Sequence, residues 1–220
     1  MTVHDLAALG PFFAVDTHPV DGTKDAPWQP FSTILETATL TTRVVAVQAA
    51  LYPGAPSGTV DDRVAASVAH LGLVARVIAP WVASVVMDGQ PISRRVEDLW
   101  WQDRLGGPFP LSVIWADDRG WEESAIVAVT RAVARTFGVS DLVLGGNVAS
   151  AANSAARMIA LARPELSAAA HAAADEILAE PEVESGVLRS GPGFRRRSCC
   201  LIYRVSGDRT AVCGDCVLSS

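Results

Sequence analysis

The placement of the cysteines constrains this chain more than any other feature of its sequence. The chain has 220 residues, and no cysteine precedes residue 199. The four cysteines are Cys199, Cys200, Cys213 and Cys216. A secreted disulfide-rich domain distributes its cysteines over the whole fold that they cross-link. Four thiols confined to one terminal segment indicate instead a single site with four thiolate ligands.

The spacing of these cysteines, C-C-x12-C-x2-C, leaves the identity of the bound group open. A Cys-x2-Cys turn directs two sulfurs at one metal, and Gly214 relaxes the backbone inside it. A zinc ribbon normally uses two such turns, whereas here one pair is adjacent. Tetrathiolate sites also hold [2Fe–2S] clusters, with two thiolates on each iron. The spacing therefore allows a cluster, a zinc ion or a set of redox-active thiols.

Composition and charge restrict the class of protein. Half of the residues are hydrophobic and 19% are charged, which excludes a largely disordered chain. The net charge of −6 argues against nucleic-acid binding, which needs a basic surface. The longest strongly apolar run, residues 77–87, contains Pro80 and is too short to span a bilayer. The N-terminus lacks the basic region of a signal peptide, so we expect a cytoplasmic protein without a membrane span.

The hydrophobic pattern predicts an α+β protein with a predominantly α-helical body. Helical periodicity is present in four segments: 59–88, 122–137, 148–163 and 164–179. Residues 111–115 are predicted to form a strand, and Gly138 is a natural residue at a helix end. Gly145-Gly146-Asn147 is interpreted as a turn with an asparagine cap, the alternative being an anion-binding site on free backbone amides.

Residues 181–188 are interpreted as a connector, and the composition of the chain changes from Arg189 onward. We therefore divide it into a mostly helical body, residues 1–185, and a C-terminal metal-binding segment, residues 186–220. Within that segment, residues 201–205 and 210–212 are predicted to form the two strands of a hairpin. The hairpin would bring the first pair of cysteines beside the second.

The terminal motif resembles that of the FhuF-type ferric-siderophore reductases. The resemblance is carried by CC-L-I-Y-R followed by C-G-D-C. Residues 63–91, 99–111 and 145–158 also look like the corresponding segments of actinobacterial members. The spacer between the cysteine pairs has twelve residues here, against ten in the family pattern, and two extra residues fit in the predicted turn.

The resemblance implies a [2Fe–2S] cluster ligated by the four cysteines. It further implies an oxidoreductase that passes one electron to siderophore-bound Fe(III), of the hydroxamate type, and releases Fe(II) in the cytoplasm. The sequence contains no nucleotide-binding fingerprint, so electrons are expected from a separate ferredoxin or flavoprotein reductase. The alternatives are an iron- or redox-sensing cluster protein without turnover and a zinc-stabilised binding module.

No catalytic residue beyond the cluster is expected, but two groups of side chains are candidates for auxiliary roles. Arg195, Arg196 and Arg197 precede the first cysteine pair and would raise the reduction potential or attract an anionic substrate. Trp100 and Trp101 would stack on a bulky substrate, or else lie in the core. The four histidines lack ligand spacing and are interpreted as packing or surface residues.

Overall fold

The computed structural model describes residues 3–54, 60–116, 120–206 and 214–217. Within these residues the fold is α+β and mostly helical, as predicted. The α-helices are α1 (Val3–Ala7), α2 (Thr37–Leu51), α3 (Asp62–Asp88), α4 (Ala125–Phe137), α5 (Asp141–Ala162), α6 (Ser167–Leu178) and α7 (Tyr203–Ser206). The strands are β1 (Asp16–Thr17), β2 (Gln29–Pro30), β3 (Trp100–Trp101) and β4 (Leu111–Val113).

Helix α3 lies at the centre of the body, where it packs against α2, α4, α5 and α6. It begins at the side chain of Asp61, which accepts a hydrogen bond from Arg63 N, and continues through Pro80. Gly89 ends it in the left-handed conformation. Among the described helices, α3 is long and apolar enough to cross a membrane, but 67% of its apolar stretch is buried inside the protein, as in a core helix.

Helix α5 starts earlier than the sequence suggests, and the predicted turn at residues 145–147 is wrong. The Ser140 hydroxyl accepts a hydrogen bond from Val143 N and so begins the helix ahead of the two glycines. Gly145, Gly146 and Asn147 therefore lie in the second turn of α5 and are buried. Tertiary packing compensates for the low helix propensity of the glycine pair.

The other predicted helices of the body are confirmed, with small shifts at their ends. Helix α4 begins at Ala125, directly after its capping residue Ser124 and not at the acidic pair before it, and Gly138 caps its end in the left-handed conformation. Pro164 opens a short 3₁₀ turn that leads into α6. Helix α6 packs its buried face, which includes Ala170, Ala174 and Ile177, against α5 and α3.

A small sheet of order β1-β4-β3-β2 closes one side of the helical body. Strand β1 is parallel to β4, and the other neighbours are antiparallel. Trp101 on β3 is fully buried and packs edge-on against Phe31 and Phe109. The strand predicted at residues 111–115 is present as β4, over Leu111–Val113.

The strand predicted at residues 201–205 is wrong, because the chain turns there. Leu201 has a φ of 69°, and Arg204 N and Val205 N donate to the carbonyls of Leu201 and Ile202. These bonds form a helical turn that leads into α7. The second predicted hairpin strand, residues 210–212, lies outside the described residues. The boundary between residues 185 and 186 stays a prediction.

Candidate metal centre

Three of the four cysteines lie within the described residues, and all three carry free thiols. Cys200 and Cys216 are buried, whereas Cys199 is partly exposed. The two halves of the motif are joined by a backbone hydrogen bond in which Arg196 N donates to Asp215 O over 3.1 Å. This bond places the chain before the first cysteine pair beside the chain before Cys216. Cys213 lies outside the described residues.

The thiol of Cys199 is surrounded by groups that govern its ionisation. Burial raises the pKa of this thiol, the Leu201 amide lowers it by donating to Sγ over 3.3 Å, and the neighbouring Cys200 and Cys216 thiols raise it further. Thiolates this close repel one another, and a bound cationic centre removes the repulsion. A set of soft thiolates with an amide donor fits an iron–sulfur cluster. Within the described residues alone, no three His, Cys, Asp or Glu side chains form a complete metal site.

Arg196 anchors this segment to the helical body. Its side chain is 1% exposed, in contrast to Arg195 and Arg197, which are exposed. Nη1 donates to Asn147 Oδ1 and Nη2 donates to Val143 O, each over 3.0 Å. The three arginines therefore do not form one solvent-facing patch, because the middle side chain points into α5. Their expected effect on the reduction potential stays a prediction.

Glu184 is the second anchor, and no local pattern in the sequence indicates this role. The residue is 3% exposed, and its carboxylate accepts hydrogen bonds from Ser198 Oγ (3.0 Å) and Arg197 N (3.1 Å). Glu184 and Ser185 both have positive φ values, 52° and 66°. Non-glycine residues seldom adopt this conformation, so surrounding contacts must hold the loop in place.

The two glycines of α5 make room for these anchors. A Cβ on Gly146 would lie 2.2 Å from Ser198 Oγ and 2.6 Å from both Arg196 Nη2 and Glu184 Oε1. A Cβ on Gly145 would lie 2.6 Å from the carbonyl oxygen of Glu182. Residues 182–198 therefore pack directly against the glycine pair of α5, and side chains at these two positions would clash with that segment.

A buried hydrogen-bonded chain extends the anchor into the core. Asn147 Nδ2 donates to Ser67 O over 2.9 Å, and Ser67 Oγ donates to the carbonyl of Cys200 over 2.9 Å. Asn147 Nδ2 also lies 3.4 Å from Nδ1 of His70, whose Nε2 is 2.9 Å from Thr130 Oγ1. Burial, assisted by the charge of Arg196, lowers the pKa of His70 to about 3, so the ring is neutral at pH 7.

The remaining candidates are separated from this centre or lie at its edge. Arg195 Nη1 donates to the carbonyl of Cys216 over 3.4 Å, which places its charge beside the thiols. Trp100 and Trp101 lie in the sheet, and Trp101 packs against Phe109, whose carbonyl accepts a hydrogen bond from Arg76 of α3. Arg76 is nine residues after Ser67, about 14 Å along the helix. The structure therefore does not bring the tryptophans together with the cysteines.

The cysteine-containing segment matches a known iron–sulfur domain. A family model described as the FhuF 2Fe-2S C-terminal domain matches residues 196–218, a segment that contains all four cysteines. The cofactor of this segment is a [2Fe–2S] cluster, and the chain is an iron–sulfur protein. More particularly, the matched segment is similar to the C-terminal domain of the FhuF-type family. No curated protein matches the chain.

Proposed function

We propose that this protein is a cytoplasmic ferric-siderophore reductase. The observation that carries the proposal is the match to the FhuF 2Fe-2S C-terminal domain over residues 196–218. The anchoring of that segment on α5 supports it, because a redox centre needs fixed ligands if its potential is to be defined. The FhuF-type domain to which the segment is similar points to siderophore-related iron handling. Reduction of the bound iron, with a hydroxamate as the chelating group, is our proposal.

Cys199, Cys200 and Cys216 would hold the cluster together with Cys213. When bound, the [2Fe–2S] cluster supplies the one-electron chemistry of the reaction. The Leu201 amide, which donates to Cys199 Sγ, stabilises negative charge on that sulfur. Arg195 is exposed and lies beside Cys216, so its charge would favour the approach of an anionic ferric chelate.

The proposed reaction is an electron transfer without a proton or group transfer. Siderophore-bound Fe(III) gains one electron and becomes Fe(II), which the hard oxygen donors of the chelate hold less tightly. The electron comes from a separate reduced ferredoxin or flavoprotein. The sequence supports an external donor because it contains none of the fingerprints G-x-G-x-x-G or G-x4-G-K-[ST] that bind nucleotides.

An anaerobic stopped-flow experiment tests the function. The purified cluster-loaded protein is reduced chemically, freed of excess reductant and mixed with a ferric trihydroxamate in the presence of a ferrous chelator. We expect the visible spectrum to return to the oxidised form while one equivalent of Fe(II) is trapped. A protein that remains reduced over minutes would contradict the proposal and favour a sensor without turnover. Cluster-free Cys216→Ser protein serves as the control for non-specific reduction.

A further inference from the structure

A long apolar groove runs from the cysteine centre along the helical body. It has a volume of about 380 Å³, and its walls are one stripe of α3 and one stripe of α5. Residues 67, 71, 75 and 79 of α3 face it, each one turn after the last. From Ser67 to Ala79 the helix advances about 18 Å. The groove is therefore elongated and follows the axis of α3.

Small side chains keep the groove open. Ala75 and Ala79 line it from α3, and Ala151, Ser154 and Ala155 line it from α5. Volumes of about 300 Å³ or more are typical of ligand sites, and a [2Fe–2S] core of four atoms would leave most of this space empty. The lining therefore has room for an organic ligand besides the cluster.

The two ends of the groove differ in chemistry. At one end lie Cys200, Arg196 and Asp215, and there the buried hydroxyl of Ser150 is next to the Asp215 carboxylate. These charged and polar side chains favour a ligand with polar atoms at this end of the groove. The far end is apolar and is closed by Phe12, whose carbonyl accepts a hydrogen bond from Arg76.

We propose that this groove binds an apolar arm of the substrate while the metal-chelating head lies at the Cys200 end. The ligand class is an amphiphilic ferric chelate, with a polar iron-binding head and an aliphatic chain. This proposal rests on the proposed function and deepens it by adding a preference for the chain. The orientation follows from the single polar end of the groove, and it places the bound iron beside the thiolates.

Calorimetry with redox-inert ligands tests the proposal independently of turnover. The probes are the Ga(III) complexes of a linear trihydroxamate acylated at its terminal amine with either an acetyl or a decanoyl group. Each buried methylene contributes up to about fourfold in affinity. We expect the decanoyl complex to bind the cluster-loaded protein at least tenfold more tightly than the acetyl complex.

Two substitutions fill the groove from half-buried positions on opposite walls, Ala75→Leu and Ser154→Leu. Each should reduce the decanoyl advantage to less than threefold and leave acetyl binding unchanged. The matched control is Ala168→Leu, on an exposed position of α6, which should retain the full advantage. Far-UV circular dichroism and visible absorbance establish that each variant is folded and loaded, and either folded groove variant is sufficient for the comparison.

The outcomes separate this proposal from the proposed function. Equal binding of the two complexes, or a decanoyl advantage that survives in both groove variants, would overturn the groove assignment even if the protein reduces ferric chelates. Decanoate alone binding as tightly as the decanoyl complex would also overturn it, because the head would then make no contact. A chain-length preference that disappears in the variants supports it even in a protein that fails to release Fe(II).

Discussion

The close contacts around Gly146 predict that replacing this helical glycine by alanine lowers the stability of the protein. In an exposed helical position, Gly→Ala stabilises a protein by roughly 1 kcal/mol, because alanine loses less backbone entropy on folding. Gly146→Ala should do the opposite. The added methyl would overlap Ser198 Oγ, Arg196 Nη2 and Glu184 Oε1, each of which takes part in a buried hydrogen bond that a shift would strain.

The size of the effect follows from these contacts. Overpacking in a closed site costs about 1–3 kcal/mol, and the loss of one buried hydrogen bond to a charged group costs about 1.5–3 kcal/mol. After subtracting the propensity gain, Gly146→Ala should lower the free energy of unfolding by about 1.5–5 kcal/mol. Since the overlap is with the C-terminal segment, we expect that segment to detach and the cluster to be lost before the helices unfold.

The matched control is Gly72→Ala. Gly72 lies inside α3 and is exposed, and a Cβ added there would meet no atom within 4 Å beyond its own helix. This substitution should be neutral or stabilising by up to about 1 kcal/mol. Denaturant unfolding followed by far-UV circular dichroism measures both free energies, and visible absorbance measures the cluster. If Gly146→Ala equals the wild type in stability and cluster content, the close docking of residues 196–198 on α5 is refuted.

Three further predictions concern the centre and its surroundings. The proposed ligands are Cys199, Cys200, Cys213 and Cys216. Serine substitution of any one of them should abolish or severely destabilise the cluster but leave the far-UV spectrum of the body largely unchanged. Retention of full iron and colour in all four variants would refute the ligand assignment. Arg195→Gln combined with Arg197→Gln should lower the reduction potential of the cluster by some tens of millivolts, where about 59 mV corresponds to a tenfold change in the redox equilibrium, and should change the stability little. Arg196→Met should instead lower the free energy of unfolding by about 3–5 kcal/mol, because this side chain is buried. Equal stability of the two variants in denaturant would contradict this distinction. The pKa of His70 is about 3 in the folded protein and near 6.5 in the unfolded chain, so the unfolded chain binds more protons between these two pH values. The free energy of unfolding should therefore fall as the pH drops through this range, by at most about 1.4 kcal/mol per pH unit. His70→Gln should show a flatter dependence, and an identical pH profile would remove His70 as its cause.

The sequence predicted those features that depend on local pattern. The thiol cluster was evident because all four cysteines follow residue 198, and the apolar stripe of α3 was evident because its period is that of a helix. Gly138 was recognisable as a helix end since the left-handed conformation suits glycine. Each of these inferences needs only the residues within one element.

The features that sequence reasoning missed depend on distant residues. Gly145-Gly146-Asn147 has the composition of a turn, and only the approach of residues 182–198 explains why a helix contains it. Ser67 contacts Cys200 across 133 positions, and no spacing rule connects them. The apolar, β-branched character of residues 201–205 favoured a strand, but the positive φ of Leu201 turns the chain directly after the adjacent cysteines.

Polar contacts, more than apolar ones, fix the position of the cysteine segment on the body. The faces of α3 and α5 near Cys200 consist largely of alanine and aliphatic side chains, which would tolerate sliding of a segment docked on them. Arg196 removes this freedom because its backbone pairs with Asp215 while its side chain bonds to Asn147 and Val143. A buried hydrogen bond left unmade is costly, so a displaced register would leave several polar groups unsatisfied at once. The same residue thus couples the geometry of the thiolates to the packing of α5.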